Sequence, residues 1–312
     1  MGEMNRPTFS LIVPTRGRPD QLRRFLASVA ATAARPDEIE VVLVVDDDDP
    51  ARAGVEHPNL AIRAVVGPPG RTMGALNTAG YAASVGDYVM LLNDDVVIRT
   101  RGWDRTALRW LRRFPDGIAL VHVNDTLIRD YLCTFPLVPR RFCELAGGIC
   151  PSEYRRYRID DHIEDVFNML AVLGARRSVY LPDVIFEHTN AFIHESAGRV
   201  YQSEPVALAE DAAGFDALAP ARKVLALRLI EHIAPAASPE VAAARRAALD
   251  ALTDPFALRT PDRHHVIRAP LWRRSPAIVG SAAARLRACY WRGGVGGLAR
   301  ATSRRLFSAG TG

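Results

Sequence analysis

Two apolar runs end abruptly in acids, and this feature limits the possible folds more than any other. Ile39 to Val45 is a β-rich stretch that stops at Asp46-Asp47-Asp48-Asp49-Pro50, and Tyr88 to Leu92 runs straight into Asn93-Asp94-Asp95. A third run, Phe9 to Val13, reads as a buried strand followed by a turn over Pro14 to Arg18. Pro19 then suits the first turn of a helix on which Leu22, Phe25, Leu26 and Val29 form one apolar face. Strand, helix, strand, with a polar loop after each strand, is the signature of a parallel α/β sheet whose ligands gather at the carboxyl ends of the strands. In such a sheet the two acidic clusters share one rim.

The pattern continues through a short strand at Ile62 to Val66, a Gly67-Pro68-Pro69-Gly70 breaker and a small-residue helix carrying Met73, Leu76, Ala79 and Ala83. Trp103 to Phe114 reads as a helix and Ile118 to Val123 as a strand. Between about 124 and 160 the chain turns irregular, interrupted by Pro136, Pro139, Gly147, Gly148 and Pro151, as a substrate-covering segment would be. A helix with Ile163, Val166, Phe167, Leu170 and Leu173 ends at Gly174, and Ser178 to Leu181 and Val184 to Phe186 read as two short strands ending at Glu187-His188. Beyond residue 205 the composition shifts to Ala, Arg and Leu with helical spacing (Val224, Leu227, Leu229, Ile230, Ile233), broken at Pro235 to Pro239 and Thr260 to Arg263. The expected division is an α/β catalytic domain over 1–204 and a basic, helical region over 205–312 that ends in disorder.

Composition removes several function classes. The chain has a single lysine, Lys223, set in Ala-Arg-Lys-Val-Leu, so no Walker A loop exists and a Schiff-base lysine enzyme is disfavoured. Cys133, Cys143, Cys150 and Cys289 lack paired metal-ligand spacing and read as buried thiols. No apolar stretch approaches the length of a membrane span, and the N-terminus lacks a signal-peptide core, which gives the expectation of a cytoplasmic protein. From Pro255 onward eleven arginines face one acid, Asp262; that segment carries +10 of a net +5, leaving −5 for the body. The tail's arginines are either solvated helix faces or a contact with anionic lipid headgroups at the inner face of a membrane. No nucleic-acid-binding groove or motif accompanies them.

Two adjacent carboxylates at a strand end, Asp94 and Asp95, with no lysine nearby, form a site that a hard divalent cation neutralises; such a cation in turn binds diphosphate oxygens. Alone, the pair is also what a hydrogen-bonded turn would use. In the Asp46 to Asp49 run the first two positions lie nearest the rim, where acids accept hydrogen bonds from ribose or base. His188 ends a strand, where an imidazole serves either as a ligand or as a structural residue. Asp160, Asp161, Glu164 and Asp165 surround a helix start, where the helix dipole already favours acids, but four exceed what capping requires. One of them is suited to take a hydroxyl proton.

Taken together, Leu11-Ile12-Val13-Pro14-Thr15-Arg16, Val44-Val45-Asp46-Asp47, Asn77 and Gly80 ahead of Gly86-Asp87-Tyr88-Val89, Leu92-Asn93-Asp94-Asp95, Glu164-Asp165, and Leu181-Pro182-Asp183 through His188 resemble, in order and spacing, glycosyltransferase family 2 over residues 8–190. The resemblance implies a GT-A fold: a Rossmann-like, mostly parallel sheet flanked by helices, here with a C-terminal helical extension. It implies an inverting transferase that moves a sugar from a nucleotide-sugar, UDP-linked as first choice, to a saccharide, lipid-linked or small-molecule acceptor. Asp46 or Asp47 would hold base and ribose, and Pro14, Thr15, Arg16 and Arg18 would border the nucleotide, with Arg71 and Asn77 on the same side. Asp95 would bind Mn²⁺ or Mg²⁺, Asp94 would touch ribose or metal, and His188 would contact metal or diphosphate. Asp165, preceded by Glu164, would be the base. The pair stands closer to Gly174 than the family pattern has it, which makes Asp161 a second candidate.

Other readings meet specific obstacles. Asp46 to Asp48 also fits the Asp-x-Asp of aspartyl-phosphate enzymes and receiver domains, but these need a lysine after a later strand, and Pro50 stands where the phosphatase motif wants Thr or Val. A sugar-phosphate nucleotidyltransferase normally ends its first loop in lysine, whereas Pro14-Thr15-Arg16-Gly17-Arg18 has none. A non-catalytic nucleotide-sugar-binding protein on the same fold is distinguished by loss of metal binding.

Overall fold

The structure is a computed structural model that describes residues 6–50, 55–189, 205–254 and 266–270. Among the described residues nine strands form one sheet: β1 (Phe9–Pro14), β2 (Ile39–Asp46), β3 (Ala61–Gly67), β4 (Tyr88–Leu91), β5 (Val96–Ile98), β6 (Leu120–Asn124), β7 (Leu137–Pro139), β8 (Ser178–His188) and β9 (Val266–Arg268). Their order is β3-β2-β1-β4-β7-β6-β8-β5, with β9 added beside β8. The pairs β1–β2, β2–β3, β1–β4, β6–β8 and β8–β9 are parallel, while β7 and β5 run antiparallel to their neighbours.

All eight residues of β2 are buried, because helices cover both sheet faces. Leu11, Val13, Leu43 and Val45 point to one face, packed by α1 (Pro19–Thr32) and α3 (Trp103–Leu111). Ile12 and Val44 point to the other, against α2 (Met73–Ala83), α4 (Arg140–Ala146), α5 (Ile159–Val172) and α7 (Ala219–Ile233). That period-two split is what the pleat dictates. On α1, Leu22, Phe25, Leu26 and Val29 are buried, each contributing about 1.5–3 kcal/mol by the usual transfer scale. Gly80 lets α2 lie close on the sheet, since a Cβ there would stand 2.4 Å from Ile12 Cγ2.

Several elements differ from the sequence expectations. The irregular stretch contains β7 and α4, too short to leave a periodic signal. The helix expected near Ile163 starts at Ile159, so the acid cluster lies within its first two turns. Residues 178–188 form one continuous strand that shifts register opposite Val123 and Asn124, and so turns from β6 to meet β5. The C-terminal region holds α6 (Pro205–Ala217), α7 and α8 (Pro239–Asp250), but it also returns to the sheet as β9. The break at Pro235 to Pro239 separates α7 from α8 as expected. Residues 255–265 and 271–312, with Cys289, the Thr260 to Arg263 break and nearly all of the basic tail, lie outside the described residues. No helix among the described residues is long and apolar enough to cross a membrane.

Candidate active site

The carboxyl ends of β1, β2 and β4 and the far end of β8 converge on one rim. The loop after β1 is fixed by carboxylates from its neighbours. Thr15 donates its hydroxyl to Asp94 Oδ2 at 2.8 Å, and Arg18 Nη1 donates to Asp94 Oδ1 at 2.9 Å. Arg16 reaches the other way, to Asp46 at 2.7 Å and to both oxygens of Asp48 at 2.5 and 2.9 Å. Asp49 accepts the Gly17 N–H at 2.8 Å, so the last acid of that run is a structural brace. Arg71 donates to the Val45 carbonyl at 2.9 Å and to Asp46 at 3.3 Å. Asp46 is therefore the buried hub of this side, while Asp47 and Asp48 are exposed. Asn77 lies buried in α2 with an Oδ1 that accepts no hydrogen bond.

Asp95 and His188 meet at the centre of the rim. Strands β5 and β8 pair Val96 with His188, which brings His188 Nε2 to 3.2 Å from Asp95 Oδ1. Both groups are buried, and Phe135 packs edge-on against the imidazole at 5.2 Å between ring centres. Thr189 anchors the turn by donating its N–H and hydroxyl to the Asp95 carbonyl at 2.8 and 2.7 Å. Burial opposes ionisation of Asp95, yet His188 and Arg18 beside it hold its carboxyl below the ordinary value. Burial likewise opposes protonation of His188, but contact with Asp95 and the fields of Asp95, Asp125 and Asp160 raise its pKa. Asp94 is shifted up, because burial and Asp95 outweigh Arg18 and Thr15.

Neither Asp95 oxygen nor His188 Nε2 has an aligned hydrogen bond. Two buried carboxylate oxygens and one imidazole nitrogen converging in this way are a donor set that suits a divalent cation such as Mn²⁺. Among the described residues no cage of three or more acid, histidine or cysteine ligands exists. Asp94, named with Asp95 as a ligand from the sequence, is given over to Thr15 and Arg18.

The acids of α5 separate into two groups. Asp160, half-buried, lies in the field of His188, and its carbonyl accepts from the Cys133 thiol at 3.3 Å. Asp161 is buried and paired with Arg158 at 3.3 Å. Asp165, expected as the base, instead faces α7, where Arg222 Nε donates to it at 2.5 Å. Both members of that pair are fully buried, so the geometry removes Asp165 from the rim. Glu164 is likewise buried, on the same helix.

Sequence reasoning missed Asp125, whose carboxylate accepts the N–H groups of Leu127, Ile128 and Arg129 at 3.0, 2.9 and 2.6 Å and the Thr134 hydroxyl at 2.9 Å. Its carbonyl accepts the His188 N–H at 3.2 Å, tying the loop after β6 to the rim. An acid directly after the β6 run, Leu120 to Asn124, was the available signal.

Known proteins share the fold and, over part of the chain, a family profile. The profile of glycosyl transferase family 2 matches residues 10–145, so the family resemblance read from the motifs holds over that segment. Among solved structures, the mannosyltransferase PcManGT of Pyrobaculum calidifontis, in complex with GDP-Man and Mn²⁺, superposes with a TM-score of 0.50 at 19% identity, covering 80% of this chain and 76% of that one. TarS of S. aureus in complex with UDP-GlcNAc gives a TM-score of 0.49 at 15% identity, over 80% of this chain and 72% of its own. No curated protein matches the sequence. The fold is thus of the GT-A type, a mostly parallel mixed sheet flanked by helices with a C-terminal helical region.

Proposed function

We propose, from a chain whose residues 10–145 match glycosyl transferase family 2, that it transfers a sugar from a nucleoside-diphosphate sugar to an acceptor hydroxyl with inversion of the anomeric centre. The observation that carries this reading is the convergence of Asp46, Asp94, Asp95 and His188 on one rim of the sheet, with the charge of Asp160 on α5 acting on His188. Asp46, with Arg16 and Arg71 arranged about it, would receive base and ribose, which on binding would exchange with those guanidinium contacts. Asp95 and His188 would hold the divalent cation, whose charge stabilises the departing diphosphate.

The acceptor oxygen attacks the anomeric carbon on the face opposite the diphosphate. The carbon–oxygen bond to the β-phosphate breaks with its electron pair leaving on the nucleoside diphosphate. The hydroxyl proton passes to a carboxylate at the start of α5, which we assign to Asp160 because it is the accessible acid near His188, while Asp161 and Asp165 are buried against arginines.

A thermal-shift panel of UDP, GDP, CDP and dTDP, each with and without Mn²⁺, tests the donor half of this reading. UDP is the first choice, and GDP stands beside it because the Pyrobaculum neighbour was solved with GDP-Man. A metal-dependent rise in Tm with one diphosphate is expected. No rise with any of them overturns the reading. Binding without turnover of any sugar donor makes the chain a nucleotide-sugar-binding protein.

A further inference from the structure

The helices that follow the family-matched segment grip the acidic helix α5 from both sides of its first turns. Asp211 of α6 accepts three consecutive backbone N–H groups, from Arg155, Arg156 and Tyr157, at 2.7, 2.8 and 2.7 Å. The opposite edge of that loop is stitched to the start of α2, where Met73 and Gly74 donate their N–H groups to the Arg155 and Tyr154 carbonyls at 2.8 and 2.9 Å. Immediately after it, Arg158 takes a left-handed conformation (φ 70°) and α5 begins. One turn past Asp160 and Asp161, Arg222 of α7 fixes Asp165 at 2.5 Å and the Phe215 carbonyl at 2.6 Å, its guanidinium stacked 3.7 Å from the Phe215 ring centre. Asp211 and Arg222 are both fully or nearly fully buried, far more than a surface clasp requires.

We propose that Asp211 and Arg222 are positioning residues for proton removal, setting where the α5 carboxylates stand relative to Asp95 and His188. The proposal rests on the functional reading above. A carboxylate that gathers three successive N–H groups leaves the loop a single backbone path, and that path fixes the entry of α5. Arg222 fixes the rotation of the helix through the last of its four acids, Asp165. Neither residue reaches the rim, so neither is catalytic. Their effect passes through the orientation of Asp160, and a displacement of about 1 Å in such a group costs roughly 100-fold in rate.

The test measures nucleoside-diphosphate release from UDP-glucose, UDP-N-acetylglucosamine and GDP-mannose with Mn²⁺, water serving as acceptor, in the full chain. Asp211→Ala is expected to lower kcat about 10- to 100-fold while the donor KM and the Kd for the free diphosphate stay within about threefold of wild type. Asp211→Asn, which keeps a carbonyl oxygen to accept part of the N–H set, should recover a measurable share of that loss. It is also the fallback if Asp211→Ala does not fold. Glu210→Ala, which breaks only the exposed pair with Arg155, should leave kcat unchanged. Rates are normalised to nucleotide-binding sites, so that simple unfolding does not count as a rate effect. Wild-type kcat per site in the Asp211 variants, or KM and kcat moving together, overturns the positioning role alone. A wild type that releases diphosphate from none of the three donors overturns the functional reading, and this one with it.

Discussion

Replacing Asp165 separates a structural acid from a catalytic one, because its pair with Arg222 lies outside the rim. The two side chains are 0% and 2% exposed and 2.5 Å apart. Arg222 also binds the Phe215 carbonyl at 2.6 Å, so its charge has no route to water. Breaking one side of a buried pair leaves an uncompensated charge and costs about 3–5 kcal/mol. At roughly 2–4 °C per kcal/mol for a domain of this size, Arg222→Met should lower Tm by about 6–20 °C. Asp165→Asn keeps an oxygen to accept the Nε–H and should lie between Arg222→Met and wild type. The double variant Asp165→Leu with Arg222→Met removes both charges and should recover most of the loss, since apolar replacement of a buried pair is often neutral. Tm is followed by far-UV circular dichroism, and diphosphate release is measured per nucleotide-binding site. Asp165→Asn should keep kcat within about tenfold of wild type, as a change acting only through helix placement would. A variant with wild-type Tm and a kcat lowered by several orders of magnitude would make Asp165 the base and refute the assignment to Asp160.

Three further outcomes follow from the site. Asp95→Ala should abolish Mn²⁺-dependent binding of UDP or GDP in calorimetry, because one imidazole cannot hold the cation beside a diphosphate; undiminished binding would place the metal elsewhere. Asp160→Asn should lower kcat by about two or more orders of magnitude with little change in nucleotide Kd, whereas equal, small effects from Asp160→Asn and Asp161→Asn would remove the start of α5 as the source of the base. His162 has a pKa lowered from 6.5 to about 3 by burial and by Arg222, with Tyr154 3.0 Å from its Nδ1. Between those values the unfolded chain binds a proton that the folded one does not, so this contribution is complete above about pH 6.5 and declines by about 1.4 kcal/mol per unit as pH falls toward 3. Denaturant unfolding of wild type and His162→Gln at pH 7 and pH 4 checks it: the wild-type advantage should shrink at pH 4, and a constant difference would refute the buried neutral histidine.

What the sequence conceals follows a physical pattern. The rim was legible because each of its acids sits directly after a run of buried apolar residues, and a parallel sheet leaves such positions one place to go. The pairing of Asp95 with His188 was only half legible, since it depends on the bend of β8 that carries it from β6 to β5, and a bend leaves no mark in an apolar pattern. The pairing of Asp165 with Arg222 was hidden for a different reason. A helix presents acids four residues apart on one face, so Asp161 and Asp165 look alike from periodicity, and what separates them is a partner 57 positions further along the chain. Arg222 gave no warning of this, being one arginine among 39 in an otherwise amphipathic helix. Its neighbours Ala226, Leu229 and Ile230 are all buried, however, and 222, 226, 229 and 230 lie on one helical face. A cation placed on that stripe must meet a buried acid, and the opposing helix α5 offers Asp165. Such pairing demands reach across helices: an arginine on an apolar stripe marks the acid it opposes as structural, and moves the search for a base to the acids left near the rim.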